Sequence, residues 1–254
     1  MTTQFPSYLD VQAEVGITKH LGGFTATDEL LTLCHVAEAK EVLYVGAGIG
    51  VGPAYIARKF GCRVVAMDIS EKMLSWTSQR AREEGVTDKV EVRLANLLDL
   101  PFETDRFDAV LVESVAAFVE DKAKAVQECR RVTRPGGYVG FNEVFWTEQP
   151  PAKTIEAYLR TQISENLILL KDWQILWEAS GLQERTVKTY TIDVKKEIKD
   201  RLQWVGRRWW LRAVGRLIRL YFTNPAARLA IKSQVKENSG AYLLMGYGLF
   251  TGKK

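Results

Sequence analysis

The chain is poor in the residues that build metal centres and disulfide frameworks. Its 254 residues include three cysteines and two histidines. Cys34, Cys62 and Cys129 are too widely spaced for a CxxC metal knuckle or a disulfide framework, so we expect three buried or inert thiols. We also expect no metal cofactor, because no Cys, His or carboxylate cluster has the spacing of metal ligands.

Long apolar runs and targeting features are also lacking. No hydrophobic run approaches the eighteen or so residues that would span a bilayer. The first residues, MTTQFPSYLDVQAEVG, contain two acidic residues and neither a basic start nor an apolar core, so no secretory signal is visible. These features predict a cytoplasmic protein.

Positive charge is concentrated in one segment. The chain carries a net charge of +4, while residues 195–219 alone carry +7 and the remainder carries −3. Any attraction to an anionic partner should therefore come from this segment.

The pattern from Glu41 onward alternates short β-rich runs with helical stretches, which is typical of βαβ units and a parallel sheet. Seven strands are predicted, at residues 41–46, 62–68, 89–95, 107–113, 137–144, 184–193 and 241–250. Ser70 is placed to cap a helix that follows the second strand. The predicted fold is an α/β doubly wound, seven-stranded and mostly parallel sheet.

Three largely helical stretches interrupt this alternation. Length and pattern predict a single domain over residues 1–254, with an N-terminal helical lid at 1–40 and helical insertions at 145–180 and 195–238. Ligands of doubly wound sheets bind beyond the carboxyl ends of the strands, where insertions of this size often form a lid. We expect these three helical stretches to build the pocket for a second substrate.

The sharpest local signal is a glycine-rich loop between the first strand and its helix. Residues 46–52 read GAGIGVG, and glycines at these positions let the backbone turn tightly and approach a ligand. Asp68 ends the second strand, where its carboxylate can accept hydrogen bonds from both ribose hydroxyls of an adenosine. A dinucleotide fingerprint would need a third glycine, and that position is Val51.

The motifs resemble those of the class I methyltransferases that use S-adenosylmethionine (SAM). VLYVGAGIG and MDIS are followed in the same order by NLLDLPF, RFDAV and RVTRPGG, over roughly residues 41–145. Within that family the chain is similar to the small-molecule group of ubiquinone/menaquinone, tocopherol and sterol C-methyltransferases. The resemblance implies that SAM is the cofactor and S-adenosylhomocysteine the product.

The resemblance also implies cofactor-binding residues. Four residues of the loop would line the methionine moiety, Asp68 would hold the ribose, Ile69 and Met73 would flank the adenine, and Asn96 with the amide of Leu97 would face the adenine edge. The four loop residues are Gly46, Ala47, Gly48 and Gly50.

Candidate catalytic residues come from strand ends and lids, because methyl transfer from a sulfonium mainly requires alignment and removal of a proton. Glu113 ends the fourth strand, and Glu113-Ser114 is similar to the acidic step found there in C-methyltransferases of sterols and tocopherols. Those enzymes have a histidine in the same loop, where this chain has Ala117. His20, in a Gly-containing segment that could fold over the cofactor, is the second candidate.

Candidate acceptor-binding residues are Glu143 and Trp146, which follow the fifth strand, and Tyr8 from the N-terminal lid. Each could instead be an ordinary strand-end or surface residue.

The segment from Arg201 to Tyr221 is predicted to form one basic amphipathic helix. On a helical projection five arginines share an arc of about 80°, and tryptophans and aliphatic residues fill much of the opposite half. Two interpretations remain open: peripheral contact with a membrane through residues 195–221, or a lid helix that buries its apolar face and leaves the arginines in water.

The favoured function is methylation of a small lipophilic or aromatic acceptor, such as an isoprenoid, quinone, sterol-like or phenolic compound. N-methylation of a small amine is the alternative. An RNA methyltransferase is disfavoured, since no RNA-binding module accompanies the domain, and no nucleic-acid partner is expected. A SAM-binding protein without catalytic activity is a further alternative.

Overall fold

The computed structural model describes residues 8–18, 20–160, 166–237 and 241–254, and seven strands lie within these ranges. Their bounds are β1 (Glu41–Val45), β2 (Arg63–Asp68), β3 (Val90–Leu94), β4 (Phe107–Glu113), β5 (Thr133–Trp146), β6 (Gln183–Thr191) and β7 (Met245–Lys253). One sheet contains all seven, in the order β3-β2-β1-β4-β5-β7-β6. The first five pair in parallel and β7 is antiparallel to both of its neighbours. The predicted α/β fold is confirmed.

Ten helices are described around the sheet: α1 (Tyr8–Val15), α2 (Gly23–Leu33), α3 (Val51–Phe60), α4 (Glu71–Glu83), α5 (Lys122–Val132), α6 (Ala152–Arg160), α7 (Leu170–Glu178), α8 (Val194–Val205), α9 (Arg207–Thr223) and α10 (Pro225–Glu237). The side chain of Ser70 accepts a hydrogen bond from the amide of Met73 at 3.3 Å, which caps α4 as predicted. The helices α1 and α2 precede β1, α6 and α7 lie between β5 and β6, and α8 to α10 lie between β6 and β7.

Two apolar layers enclose the sheet because successive strand residues point to opposite faces. On β1, Val42 and Tyr44 belong to the layer that contains residues of α2, α3 and α4, whereas Leu43 and Val45 belong to the layer with α5 and α7. All seven residues of β4 are buried. The chain order switches direction between β1 and β4, and in doubly wound sheets ligands bind at that point, beyond the carboxyl ends of the strands.

Three local predictions need correction. The fifth strand, predicted at 137–144, spans Thr133–Trp146, so RPGG at 134–137 lies inside it, where the register with β4 shifts between the pairs Phe107–Thr133 and Ala109–Tyr138. The last strand begins at Met245, after a 3-10 turn over Ala241–Leu244. The single helix predicted over 201–221 is two helices, because Gly206 separates α8 from α9 with φ 86° and ψ 139°, a backbone conformation that favours glycine.

No helix in the described part of the chain is both long and apolar enough to cross a membrane. Across the same residues, no group of three or more His, Cys, Asp and Glu side chains is arranged to hold a metal ion. Cys34, Cys62 and Cys129 are free thiols, and all three are buried.

Candidate active site

The glycine-rich loop joins β1 to α3 at the switch point of the sheet. Gly46, Gly48 and Gly50 all have positive φ, at 77°, 53° and 79°. A Cβ atom on Gly50 would lie 2.7 Å from the Cα of Thr77, so neither the conformation nor the space admits a side chain. The amides of Gly46 and Ala47 both donate to the carbonyl of Met67 at 2.8 Å, which fixes the loop to the end of β2.

Asp68 lies between this loop and the start of α4. Its two carboxylate oxygens accept hydrogen bonds from the amides of Gly48 at 2.9 Å and Ser70 at 3.0 Å. Burial raises the pKa of Asp68, and the backbone hydrogen bonds partly oppose that rise. A carboxylate offers about four acceptor positions, and the backbone partners of Asp68, which include the amide of Ile69, leave acceptor capacity for a ribose.

The predicted adenine-flanking residues differ in exposure. Ile69 follows Asp68 and is 74% exposed, which is unusual for a large apolar side chain and leaves its surface available to a flat ring. Met73 is buried against Ile49 and Val51. The residues present thus fit an adenosine: a carboxylate for the ribose, an exposed apolar side chain for the ring, and a loop that excludes side chains.

Asn96 and Leu97 lie beyond the end of β3. Asn96 is exposed, and its side-chain oxygen accepts a hydrogen bond from the amide of Leu98 at 2.9 Å. Leu97 is buried in the apolar layer with α5 and α7. The oxygen predicted to face the adenine is therefore engaged in a local turn, and the role of Asn96 stays a prediction.

Glu113 is the centre of a buried hydrogen-bond network. The hydroxyl of Tyr44 donates to Oε2 at 2.6 Å, and the hydroxyl of Thr27 donates to Oε1 at 2.9 Å and to Oε2 at 3.2 Å. The side chain of Asn142 also donates to Oε1, at 3.5 Å. Strand alternation explains the grouping, since Tyr44 on β1, Glu113 on β4 and Asn142 on β5 all point to the sheet face that α2 covers.

His20 joins this network through Thr27. Its Nε2 lies 3.0 Å from Oγ1 of Thr27, 3.3 Å from the carbonyl oxygen of Gly23 and 3.8 Å from Oε1 of Glu113. A carbonyl oxygen can only accept, and the Thr27 hydroxyl already donates to Glu113, so both contacts assign the proton to Nε2. In the neutral imidazole, Nδ1 then carries the free lone pair.

His20 and Glu113 share a small cavity with the glycine-rich loop, so the structure brings together both predicted catalytic residues and part of the predicted cofactor site. The cavity measures about 20 Å³, and Thr18, Tyr44 and Trp204 complete its lining. This volume holds about one water molecule. A second groove, of about 240 Å³, lies between α5 and α7 and is lined by none of the predicted site residues.

The cover over the cavity consists of the N-terminal segment and α8. The rings of His20 and Trp204 stack with centroids 4.2 Å apart and an interplanar angle of 13°. Both carboxylate oxygens of Glu197 accept from the amide of Gly22, at 3.1 and 3.2 Å. A methyl donor and an acceptor are far larger than the cavity, so this cover must move for both to meet at His20.

Two of the three predicted acceptor-binding residues, Glu143 and Trp146, lie away from the cavity. Glu143 follows Asn142 on β5 and therefore points to the opposite sheet face, where its Oε1 accepts from the amides of Val115 and Ala116 at 2.8 Å. Trp146 packs with Tyr158, Ala241 and Met245 in a separate cluster. Tyr8 begins α1, but its side chain lies outside the described residues. Neither Glu143 nor Trp146 lines the cavity, and contact of any of the three residues with an acceptor stays a prediction.

Replacing Glu143 with glutamine should abolish a pH dependence of stability. Burial raises the pKa of Glu143 to about 7, so the folded chain binds a proton more tightly than the unfolded chain does. The wild-type free energy of unfolding should therefore fall as pH rises from about 4.5 to 7, by roughly 3 kcal/mol relative to Glu143→Gln. Urea unfolding at pH 5 and pH 8 measures this, with the exposed Glu178→Gln as control. Parallel curves for wild type and Glu143→Gln would refute the assignment.

Sequence reasoning missed the partners of the two catalytic candidates. Tyr44 belongs to a buried apolar strand and Thr27 to the interior of α2, and neither position carries a local signal. Glu113 is 69 residues from Tyr44 and 86 from Thr27 along the chain. Only the packing of α2 on the sheet brings the three side chains together.

The central part of the chain matches a known family. A family model described as "Methyltransferase domain" matches residues 43–141, which include the glycine-rich loop, Asp68 and Glu113. The chain is 32% identical over 174 residues to an uncharacterized protein of Haemophilus influenzae, a match covering 67% of this chain and 68% of that protein.

Two named relatives carry the same relationship. Methyltransferase GfsG of Streptomyces halstedii is 28% identical over 180 residues, covering 70% of this chain and 62% of that protein. Tocopherol O-methyltransferase of Arabidopsis thaliana is 35% identical over 100 residues, covering 39% of this chain and 29% of that protein. In both cases the match spans less than two thirds of the relative's length.

The fold agrees with solved methyltransferase structures. Phosphoethanolamine N-methyltransferase 2 of Haemonchus contortus, solved in complex with SAM, superposes with a TM-score of 0.74 at 18% identity, covering all of this chain and 58% of that one. Motif order, site geometry and these relationships agree, and the chain belongs to the class I SAM-dependent methyltransferases.

Proposed function

We propose that this enzyme transfers the methyl group of SAM to a small lipophilic or aromatic acceptor whose proton is removed by His20. The observation that carries the proposal is the buried relay from Glu113 through Thr27 to His20, which lies against the glycine-rich loop. SAM supplies a methyl group on a positively charged sulfur and needs no further activation. The protein therefore has to position the acceptor and take up its proton.

The relay supports a general-base role for His20. Glu113 accepts from Thr27, Thr27 accepts from Nε2 of His20, and Nδ1 is left to take the acceptor's proton. His20 would take up that proton at Nδ1, while SAM would supply the methyl group to the acceptor atom and leave as S-adenosylhomocysteine. The imidazolium so formed is then stabilised by the carboxylate of Glu113, 3.8 Å away.

The surroundings of the cavity favour an apolar acceptor over an amine. Trp204 stacks on His20, and Ala47 and Val51 line the same cavity. A cationic amine would need an available carboxylate, but the side chain of Glu113 is only 1% exposed and both of its oxygens already accept hydrogen bonds. One relative carries the name tocopherol O-methyltransferase, which is consistent with the acceptor class proposed here.

The helical segments have a proposed role in enclosing the acceptor, and the enzyme has a proposed cellular location. The segments 1–40, 145–180 and 195–238 are proposed to enclose the acceptor, since α8 already covers His20. A lipophilic acceptor partitions into bilayers, so we include peripheral contact with a membrane through residues 195–221. The free, buried thiols of Cys34, Cys62 and Cys129 are consistent with a reducing compartment, and we place the enzyme in the cytoplasm.

An acceptor panel tests the proposed function. Purified enzyme and SAM are incubated with prenylated quinols, sterols, phenols and small amines, and release of S-adenosylhomocysteine is measured. We expect turnover on apolar hydroxyl-bearing acceptors, and a loss of about 10²-fold or more in kcat for His20→Ala, because the base is absent. Exposed His35 provides the control His35→Ala, which should retain activity. Turnover on amines alone would refute the proposed acceptor class.

A further inference from the structure

Helix α9 presents two parallel rows of side chains to solvent. Leu211, Ile218 and Phe222 are 70%, 54% and 72% exposed. A helical projection places these three within an arc of about 40°. Three exposed arginines of the helix form a second arc of about 40° directly beside it; they are Arg208, Arg212 and Arg219.

The exposed rows do not lie on the side of α9 that packs against the rest of the protein. The opposite side of α9 is already fixed to the body, where Trp209 and Ala213 are buried. The indole nitrogen of Trp209 donates to the carbonyl of Gly16 at 2.7 Å, and the guanidinium of Arg216 donates to the carbonyl of Val15 at 2.7 Å. The two interpretations left open by the sequence are therefore compatible: α9 is a lid helix, and it still exposes an apolar row.

The preceding helix repeats the pattern. Val194, Ile198 and Leu202 occur at four-residue spacing along α8 and are all exposed, with exposed Lys195 and Lys199 beside them. Residues at this spacing lie on one face of a helix. Two consecutive lid helices thus each display an apolar row next to positive charge.

We propose that these rows form a docking surface for an anionic phospholipid bilayer, with the apolar row of α9 at the boundary between headgroups and acyl chains and the arginines on the phosphates. A helix with an exposed apolar stripe, adjacent basic residues and no acidic ones has the character of an interfacial helix. Residues 207–223 contain five arginines and no acidic residue. This docking surface rests on the proposed function, because an enzyme with a lipophilic acceptor would reach that acceptor at a bilayer.

Charge argues against a second copy of this chain as the occupant. In a two-fold symmetric dimer that pairs the two α9 helices antiparallel through this face, the arginine row of one copy would meet the arginine row of the other at close range. Among the residues that the structure describes, the only acidic partner of the row is Glu83, which accepts from Arg212 at 2.9 Å at an exposed position. Such an exposed pair is weak and would exchange readily for a lipid phosphate.

Sedimentation with vesicles tests the surface. The full chain is mixed with sucrose-loaded vesicles of phosphatidylcholine, with and without phosphatidylserine, at 0.05 and 0.5 M salt. We expect binding to the anionic vesicles at low salt, weakened on the order of tenfold or more at high salt. The double variant Leu211→Ser/Phe222→Ser should lose about tenfold or more in binding. The matched control is Ile175→Ser/Leu243→Ser, which removes two apolar side chains that are exposed elsewhere and should bind as wild type does.

Two results would overturn the docking surface: equal binding by the wild type and the Leu211→Ser/Phe222→Ser variant, or no preference of the wild type for anionic vesicles. A concentration-dependent dimer in gel filtration that disappears in the same variant, without vesicle binding, would assign the face to self-association instead. Turnover of a short-chain, water-soluble acceptor without vesicles keeps the two proposals apart. If the protein turns over that acceptor but does not bind vesicles, the docking surface is refuted and the proposed function is retained. If it binds vesicles but turns over no acceptor, the proposed function is refuted and the docking surface is retained.

Discussion

Replacing Glu113 with glutamine is expected to lower kcat by about 10²-fold while leaving the affinity for SAM within about twofold. The carboxylate accepts from both Tyr44 and Thr27, whereas a glutamine amide would turn an NH2 donor toward one of these hydroxyls. Thr27 would then lose the acceptor that fixes its hydroxyl, and Nε2 of His20 would lose a defined partner. The negative charge that stabilises the imidazolium would be lost as well.

Separate measurements of chemistry and binding check this expectation. Single-turnover rates report the methyl-transfer step, and calorimetric titration reports the Kd for SAM. The matched control is Glu29→Gln, since Glu29 also accepts from a tyrosine hydroxyl, that of Tyr190, but lies outside the cavity. That variant should retain its kcat.

Two substitutions at Thr27 separate a relay from simple packing. Thr27→Val keeps the shape of the side chain and removes its hydroxyl, so it should lower kcat as Glu113→Gln does. Thr27→Ser keeps the hydroxyl and should restore most of the rate. If the valine variant were as fast as the serine variant, Glu113 and Thr27 would be structural residues and His20 would act without them.

The part of the site that could be predicted from sequence is the part built from local contacts. The loop at 46–50 and Asp68 belong to one β-loop-α-β unit, and the hydrogen bond that joins them spans 20 residues. Buried strands alternating with helices predict the sheet for the same reason, since each element carries its own pattern. Glu113 was also predictable as a strand-end carboxylate, but its hydrogen-bond partners were not.

The remainder depended on long-range register and packing. Whether Glu143 points toward Glu113 or away from it depends on the pairing of β4 with β5. The irregular register near Thr133 means that this pairing cannot be predicted from the alternation of residues along the sequence. Gly206 weakens a helix at its position, but the apolar and basic periodicity on either side favoured one continuous helix. The structure breaks the helix there and so gives α9 an exposed face of its own.

Replacing Asp68 with asparagine should weaken SAM binding by about 10²-fold or more. The carboxylate is the acceptor proposed for the ribose hydroxyls, and each hydrogen bond to a charged group is worth roughly 1.5–3 kcal/mol, so loss of two corresponds to at least that factor. The change also turns an NH2 group toward the amide of Gly48 or of Ser70, both of which donate to Asp68. The loop should therefore loosen as the cofactor is lost, and kcat at saturating SAM should change far less than the Kd.

The pH dependence of the wild type provides an independent check on this assignment. Burial raises the pKa of Asp68 in the free enzyme, and ribose hydroxyls that donate to the ionised carboxylate would lower that pKa again in the complex. Binding of SAM should consequently weaken as pH falls through the raised pKa of the free enzyme, and Asp68→Asn should show no such loss. Calorimetric titrations over this range, with the exposed Asp88→Asn as control, measure both effects. A Kd for Asp68→Asn close to that of Asp88→Asn would remove Asp68 from the cofactor site and leave it as an anchor for the loop.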